Sequence, residues 1–243
     1  RLMAQALVPL KDLVRAKTRL AGLLSPSERR GLAQAMVEDV LTVLAGHPDL
    51  RRVTLVSDDP ASAMIARTYG IDHLEEAALA ASGLNPVIEA ATDRLIGSGA
   101  EPVIVLHADL PLLAAADVSA VIECYEATQG LVIGCDRYRR GSNLLAFGRD
   151  SRPRFCFGSD SYAAHRSVAR EAGIHYSEIF LPGIGLDIDE AHDLAELMRH
   201  LPAAGERTRA LLAANDLDRR LSLALTAFET DNNDRPGESA AHE

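Results

Sequence analysis

The feature that most constrains this chain is a regular alternation of two kinds of segment. Short apolar runs rich in β-branched residues stand at Ala6–Leu10, Val53–Ser57, Val103–Leu106 and Leu131–Cys135. Between them lie stretches with helical periodicity. In the first, Leu32, Met36, Val40 and Val43 recur at spacings of three and four, so they share one face of a helix. Strands joined through helices run parallel, because the crossover returns the chain to the same edge of the sheet. The reading is an α/β domain whose mainly parallel sheet is flanked by helices on both faces.

Local signals set the boundaries. Ser25, Pro26 and Glu28 form a capping box with proline at the first helical position. Helices are predicted over Ser62–Tyr69, stopped by Gly70, over Pro86–Ile96 with Asn85 as cap, and over Ala115–Thr128. The second half changes character. Leu144–Phe147 and Arg154–Phe157 read as a small hairpin insertion, Tyr162–Ala172 as a helix and His175–Leu181 as a strand. Glu190–His200 reads as a helix for which Asp189 can serve as cap, and Gly205–Phe228 as a helix broken near Asn215. One domain is expected over residues 1–229, and the polar, acidic stretch 230–243 is expected to be disordered.

Several function classes are excluded early. The net charge of −10 argues against a long nucleic-acid footprint, which needs a basic face, but leaves room for a local basic pocket. Aromatic residues are only 4% with no tryptophan, which weakens base-stacking binders. Cys124, Cys135 and Cys156 contain no C-x-x-C pair, and their odd number suits free thiols in a reducing, cytoplasmic setting. No apolar run is long enough to span a membrane and no signal peptide is visible, so a membrane role is not expected. A dinucleotide-binding glycine turn, a P-loop, a zincin motif and a serine-hydrolase elbow are all missing.

What remains is a set of polar clusters at predicted strand ends. Lys11, Arg15, Lys17 and Arg19 follow the first strand, where open α/β sheets bind ligands, and four cations there suit a polyphosphate. They also fit a solvated basic loop. Asp109 directly follows the most apolar strand; a carboxylate there can hold Mg²⁺, although Asp-Leu-Pro is also a good turn. Asp187 and Asp189, two apart in an extended segment, point the same way, unless one only caps a helix and the other only faces water. Ser142 and Asn143 after Gly141, and Gly158 with Ser161 at a helix start, can offer backbone N–H groups to an anion or be ordinary turns. Asn85, after Gly83, can read a base edge or cap its helix.

Taken together these segments resemble the 2-phospho-L-lactate guanylyltransferase family of coenzyme F-420 biosynthesis, whose members accept 2-phospholactate, phosphoenolpyruvate or 3-phosphoglycerate. The resemblance runs from about Ala6 to Met198. It is carried by Val8-Pro9-Leu10-Lys11 through Ala16-Lys17-Thr18-Arg19-Leu20, Gly83-Leu84-Asn85, His107-Ala108-Asp109-Leu110-Pro111, Gly141-Ser142-Asn143-Leu144-Leu145, Phe157-Gly158 with Ser161 and His165, and Leu186-Asp187-Ile188-Asp189 with Asp193-Leu194. It implies a single Rossmann-like nucleotidyltransferase domain. It implies catalytic roles for Lys17, Arg19 and Asp109, with Lys11, Gly83 and Asn85 at the nucleotide. Asp109, Asp187 and Asp189 would bind Mg²⁺, and Ser142, Asn143, Gly158 and Ser161 would bound the phospho-acid pocket. GTP would be the co-substrate, diphosphate the leaving group, and the next coenzyme F-420 enzyme the recipient of the product; a homodimer stays open. The family commonly has Thr at the position of Ser142, so the pocket here lacks a methyl group. The alternatives are a molybdopterin- or sugar-phosphate-directed nucleotidyltransferase of the same fold and a non-catalytic nucleotide-binding protein.

Overall fold

The computed structural model describes residues 2–97, 99 and 101–233. Within them seven strands form one sheet: β1 (Ala4–Pro9), β2 (Leu50–Val56), β3 (Asp72–Leu74), β4 (Val103–Leu106), β5 (Leu131–Cys135), β6 (Ser142–Phe147) and β7 (Tyr176–Ile179). Their order is β3-β2-β1-β4-β6-β5-β7. All pairings are parallel except those of β6, which runs antiparallel to both β4 and β5. Among the described residues nine α-helices connect and cover the strands: α1 (Pro26–Ala45), α2 (Ser62–Tyr69), α3 (Leu84–Gly97), α4 (Ala115–Thr128), α5 (Ser161–Glu171), α6 (Pro182–Gly185), α7 (Ala191–Arg199), α8 (Glu206–Ala213) and α9 (Leu217–Asn233). No helix among the described residues is long and apolar enough to cross a membrane.

Strand alternation sorts the core into two layers. Ala4, Ala6 and Val8 of β1 face α1, α2 and α4, where Val40, Leu41, Ile65 and Val121 meet them. Leu7, Val103 and Val105 face the other way, against Val87, Ile88 and Ala91 of α3 and Ala169 of α5. A third cluster lies beside the sheet, where Leu32 and Met36 of α1 pack against Leu212 and Leu221 of the C-terminal helices. It also takes in Leu20 and Leu24 from the loop after β1, and Leu186 and Ile188 from the segment before α7. Two loops that carry polar candidates are thus anchored on one apolar platform.

Three expectations need correction. The hairpin exists, but its arms are β5 and β6; residues 153–157 form no strand and run as an extended loop across the end of α3. Arg152 ties that loop down through Glu89 and Asp93 of α3. The cap of α7 is Glu190, not Asp189. Lastly, α9 continues through Asn233, into the stretch expected to be disordered, while 234–243 lie outside the described residues. The break near Asn215 is present as a short 3-10 turn at Ala214–Asp216. The capping box of Ser25 and Glu28 forms as predicted.

Candidate active site

The sheet reverses direction of growth at β1. The chain first adds β2 and β3 on one side and then crosses to place β4 on the other. Such a switch point opens a crevice outside the carboxyl ends of the two central strands. Here it holds a cavity of about 490 Å³ bordered by Lys11, Arg15, Lys17, Leu84, Asp109 and Asp189. The sequence delivers these residues from four separate segments. Lys11 to Lys17 follow β1, Asp109 follows β4, Leu84 opens α3, and Asp189 precedes α7. The loop after β1 is pinned at its start, because Asp59 accepts hydrogen bonds from the N–H of Leu13 (2.7 Å) and of Ala61 (2.8 Å).

At the floor of the cavity the Lys17 ammonium donates to Asp109 Oδ2 and to Asp189 Oδ1, the latter at 3.0 Å. Its side chain is only 9% exposed. Burial disfavours the ammonium, but the charges of Asp109 and Asp189 outweigh it and hold the lysine above its ordinary pKa. For Asp109 burial likewise favours the neutral acid, and Lys17, with His107 beside it, reverses that and lowers the pKa. Asp187 goes the other way: burial and the nearby charge of Asp109 raise its pKa, although Asn143 donates to its Oδ1 at 3.0 Å. Leu186 and Ile188 point into the third apolar cluster, so Asp187 and Asp189 turn towards the cavity side.

The atoms these groups present suit a hard cation. The donors are all carboxylate oxygens, the chemistry Mg²⁺ prefers. Asp109 Oδ1 is buried and has no hydrogen-bond partner among the described residues, an expensive condition unless something else contacts it. Asp187 carries a repulsion from Asp109 that a cation would relieve. The three carboxylates do not form a closed cage: among the described residues no group of three or more His, Cys, Asp or Glu side chains is close enough to grip a metal as it stands. The space between Asp109 and Asp189 is taken by the ammonium of Lys17. On balance the donor set fits the ion.

The second group of candidates is also brought together, in the interior. Ser142 donates its N–H to Ser161 Oγ (2.8 Å), and Asn143 donates to the Ile184 carbonyl (2.9 Å) as well as to Asp187. Ser142, Asn143 and Ser161 are all buried, whereas Gly158, Ser159 and Asp160 stand exposed above them. The three buried side chains are therefore a frame, and the exposed surface is the turn at Gly158. Gly158 has φ +141°, a conformation that L side chains rarely adopt. Asn85 neither caps α3 nor points an open amide at the cavity. It accepts from the Phe157 N–H (2.8 Å) and donates to the Phe157 carbonyl (3.0 Å), so it clamps the same turn. Gly83, at φ +91°, turns the chain into α3. Arg19 is exposed and paired with Glu190 at 3.0 Å.

Two residues that carry the resemblance, Asp193 and His165, received no role from the sequence and prove to be supports. Asp193 accepts from the N–H groups of Asp189 (3.0 Å) and Glu190 (2.8 Å), and Arg137 holds it at 2.8 Å. The Glu190/Asp193 spacing is a capping-box signal that could have displaced Asp189 from the cap. The other is the tautomer of His165. Its Nε2 accepts from the Cys156 N–H (2.9 Å), so Nδ1 carries the proton and donates to Ser142 Oγ (3.0 Å). Burial pushes its pKa down to about 4. In the interval from the unfolded value near 6.5 down to about 4, the unfolded chain binds a proton that the folded chain refuses. The stability from neutral His165 is thus complete above about pH 6.5 and is lost as pH falls towards 4. Urea unfolding at pH 7, 6 and 5 should show wild type losing its advantage over His165→Gln, by on the order of 3 kcal/mol across the full interval. A pH-independent difference would rule this out.

The family described as Guanylyl transferase CofC like matches residues 4–224. A phosphoenolpyruvate guanylyltransferase of Rubrobacter xylanophilus is 36% identical over 192 residues, 79% of this chain and 92% of that enzyme. A 2-phospho-L-lactate guanylyltransferase of Methanothermobacter thermautotrophicus is 36% identical over 205 residues, 84% of this chain and 86% of that enzyme. Among solved structures, a candidate nucleotide-diphospho-sugar transferase from Desulfovibrio desulfuricans superposes with a TM-score of 0.75 at 20% identity, covering 91% of this chain and 99% of that one. At that identity the likeness speaks for the fold alone, a Rossmann-like α/β domain.

Proposed function

The chain belongs to the CofC-like guanylyl transferase family and is a guanylyltransferase; from that premise we propose that it moves GMP from GTP to a phosphorylated three-carbon acid in the cytoplasm, during coenzyme F-420 biosynthesis. The acceptor class comes from the names of the relatives, phosphoenolpyruvate and 2-phospho-L-lactate guanylyltransferases; the family resemblance adds 3-phosphoglycerate to it. The observation that carries the site assignment is the double contact of Lys17. It joins the ends of β1 and β4 and the segment before α7 at one point in the crevice.

The chemistry asks little of an acid or base. An oxygen of the acceptor phosphate attacks the α-phosphorus of GTP, the bond to the bridging oxygen breaks, and diphosphate leaves with that electron pair. A phosphate monoester has its second pKa at about 6 and is already anionic at neutral pH, so no strong base is needed. The difficulty is to bring two anions together in line. Lys11 and Arg15 border the cavity with exposed side chains and can take the triphosphate; Arg19, exposed and paired with Glu190, would join them by leaving that partner. Asp109 and Asp187, with Asp189 beside them, would hold Mg²⁺, which when bound supplies positive charge at the reacting phosphates. Gly83 and Leu84 at the start of α3 would border guanine. Asn85 would act at one remove, through the Phe157–Gly158 turn. The backbone of that turn would receive the acceptor, over the frame of Ser142, Asn143 and Ser161. The product, a guanosine diphosphate-linked acid, would pass to the next enzyme of the pathway.

The test is diphosphate release with GTP, CTP or UTP, with each three-carbon phospho-acid, a sugar phosphate or no acceptor. Release is expected only with GTP and a three-carbon phospho-acid, and should stop when EDTA removes divalent ions and return when Mg²⁺ is restored. Faster release with another nucleotide or with a sugar phosphate would move the chain to a different acceptor class within the same fold.

A further inference from the structure

The geometry points to Lys17 as a stand-in cation: its ammonium occupies the carboxylate site of the divalent ion and must leave it for metal and nucleotide to bind, which couples their binding. This inference rests on the proposal that the carboxylates hold a metal, and adds that the chain carries its own competitor for the site.

Three observations support it. First, Lys17 differs from the other cations of its loop. Lys11, Arg15 and Arg19 are exposed, while the Lys17 side chain is 9% exposed and points inward between Asp109 and Asp189. Second, its backbone is strained to bring this about. Lys17 has φ 56° and ψ 39°, the left-handed region, which is unfavourable for a residue with a Cβ. Such strain persists where the surroundings over-determine it, and it concentrates at functional sites. Third, a joint exchange leaves every charge with a partner. A lone divalent ion would have to eject an ammonium into the cavity with no new partner, leaving it badly solvated. If nucleotide arrives as well, the ejected ammonium meets phosphate oxygens and the carboxylates meet the metal. Each ligand thereby removes an obstacle to the other, and by linkage the effect is reciprocal.

The test is Mn²⁺ binding, followed by loss of the free-ion EPR signal, without nucleotide. Wild type is expected to bind weakly, Lys17→Met and Lys17→Gln to bind tighter by about tenfold or more, and Asp109→Asn to lose binding. A second measurement needs no substitution. In the full wild-type chain, acetylation of lysines read by mass spectrometry should find Lys17 protected alone and reactive when Mn²⁺ is added to saturation. If both Lys17 variants bind Mn²⁺ no tighter than wild type, or Lys17 stays protected at saturating metal, the stand-in role is wrong while the metal site stands. If wild type binds no Mn²⁺ even with nucleotide present, and neither Lys17 variant does, the metal proposal itself is overturned.

Discussion

Asp109→Asn is expected to cut guanylyl transfer by about a thousandfold or more while the protein still folds. The substitution is isosteric, so nothing nearby must move. What changes is charge: the carboxylate that ends β4 becomes neutral, and its buried Oδ1, without a partner among the described residues, becomes part of an amide. If that oxygen contacts a divalent ion, the loss is of transition-state stabilisation, for which a single preorganised group is commonly worth about 3–4 kcal/mol. The effect on folding is smaller. Lys17 keeps Asp189 at 3.0 Å, so its ammonium is not stranded, and losing one charged hydrogen bond costs about 1–3 kcal/mol. That lies below the usual stability of a domain. Asp189→Asn should cost less turnover, because the Asp189 side chain is 53% exposed and Lys17 would retain Asp109. The measurement is diphosphate release at saturating GTP and acceptor, beside a thermal melt of each variant. A folded Asp109→Asn protein within tenfold of wild type would remove Asp109 from the reaction.

The sequence showed the fold through period, and it pointed to the candidate site through position. The β-branched runs that became β1, β2, β4 and β5 were legible because each is short and apolar and helical stretches separate them from one another. β3 was not: Asp72–Leu74 is a three-residue edge strand with no buried residue, so no periodicity marks it. The true partner of β6 was hidden for a different reason. Residues 154–157 contain Phe155 and Phe157, whose alternation imitates a strand, yet those rings fill the layer under α3 from an irregular loop. Lys17 and Asp109 could be suspected from their places after β1 and β4, and Asp189 from its spacing to Asp187. That a single ammonium links two of the carboxylates could not, because the contact depends on one left-handed residue in a loop. Asn85 was misjudged because its partner, the backbone of Phe157, lies 72 residues away and no local pattern encodes it.

Distance along the chain also hides the second large prediction, which concerns stability. Asp39 sits in the middle of α1, is 7% exposed, and reads as an ordinary polar position. In the fold it accepts from the N–H groups of Arg207 and Thr208, both at 2.9 Å. Those are the second and third residues of α8, whose own cap position is Gly205 and carries no side chain. Asp39 therefore caps α8 from another helix, with a negative charge at the positive end of the helix dipole. The close approach requires the glycine, since a Cβ on Gly205 would lie 2.1 Å from Asp39 Cγ. Asp39→Ala removes the acceptor from two N–H groups at the start of α8, at a cost on the order of 3 kcal/mol. For a chain of this length that corresponds to a fall in Tm of roughly 6–12 °C. The loss reaches the site as well. α8 and α9 complete the apolar cluster that holds Leu186 and Ile188, and those two residues set the direction of Asp187 and Asp189. Asp39→Ala should therefore lower turnover at temperatures where most of the chain is still folded. Asp39→Asn, which keeps one acceptor oxygen, should lose about half as much stability. Amide hydrogen exchange at Arg207 and Thr208, read beside the melting curves, checks the cause: both amides should lose protection in Asp39→Ala before the central strands do. A variant whose Tm stays within about 2 °C of wild type would mean that α8 is held by its apolar contacts alone.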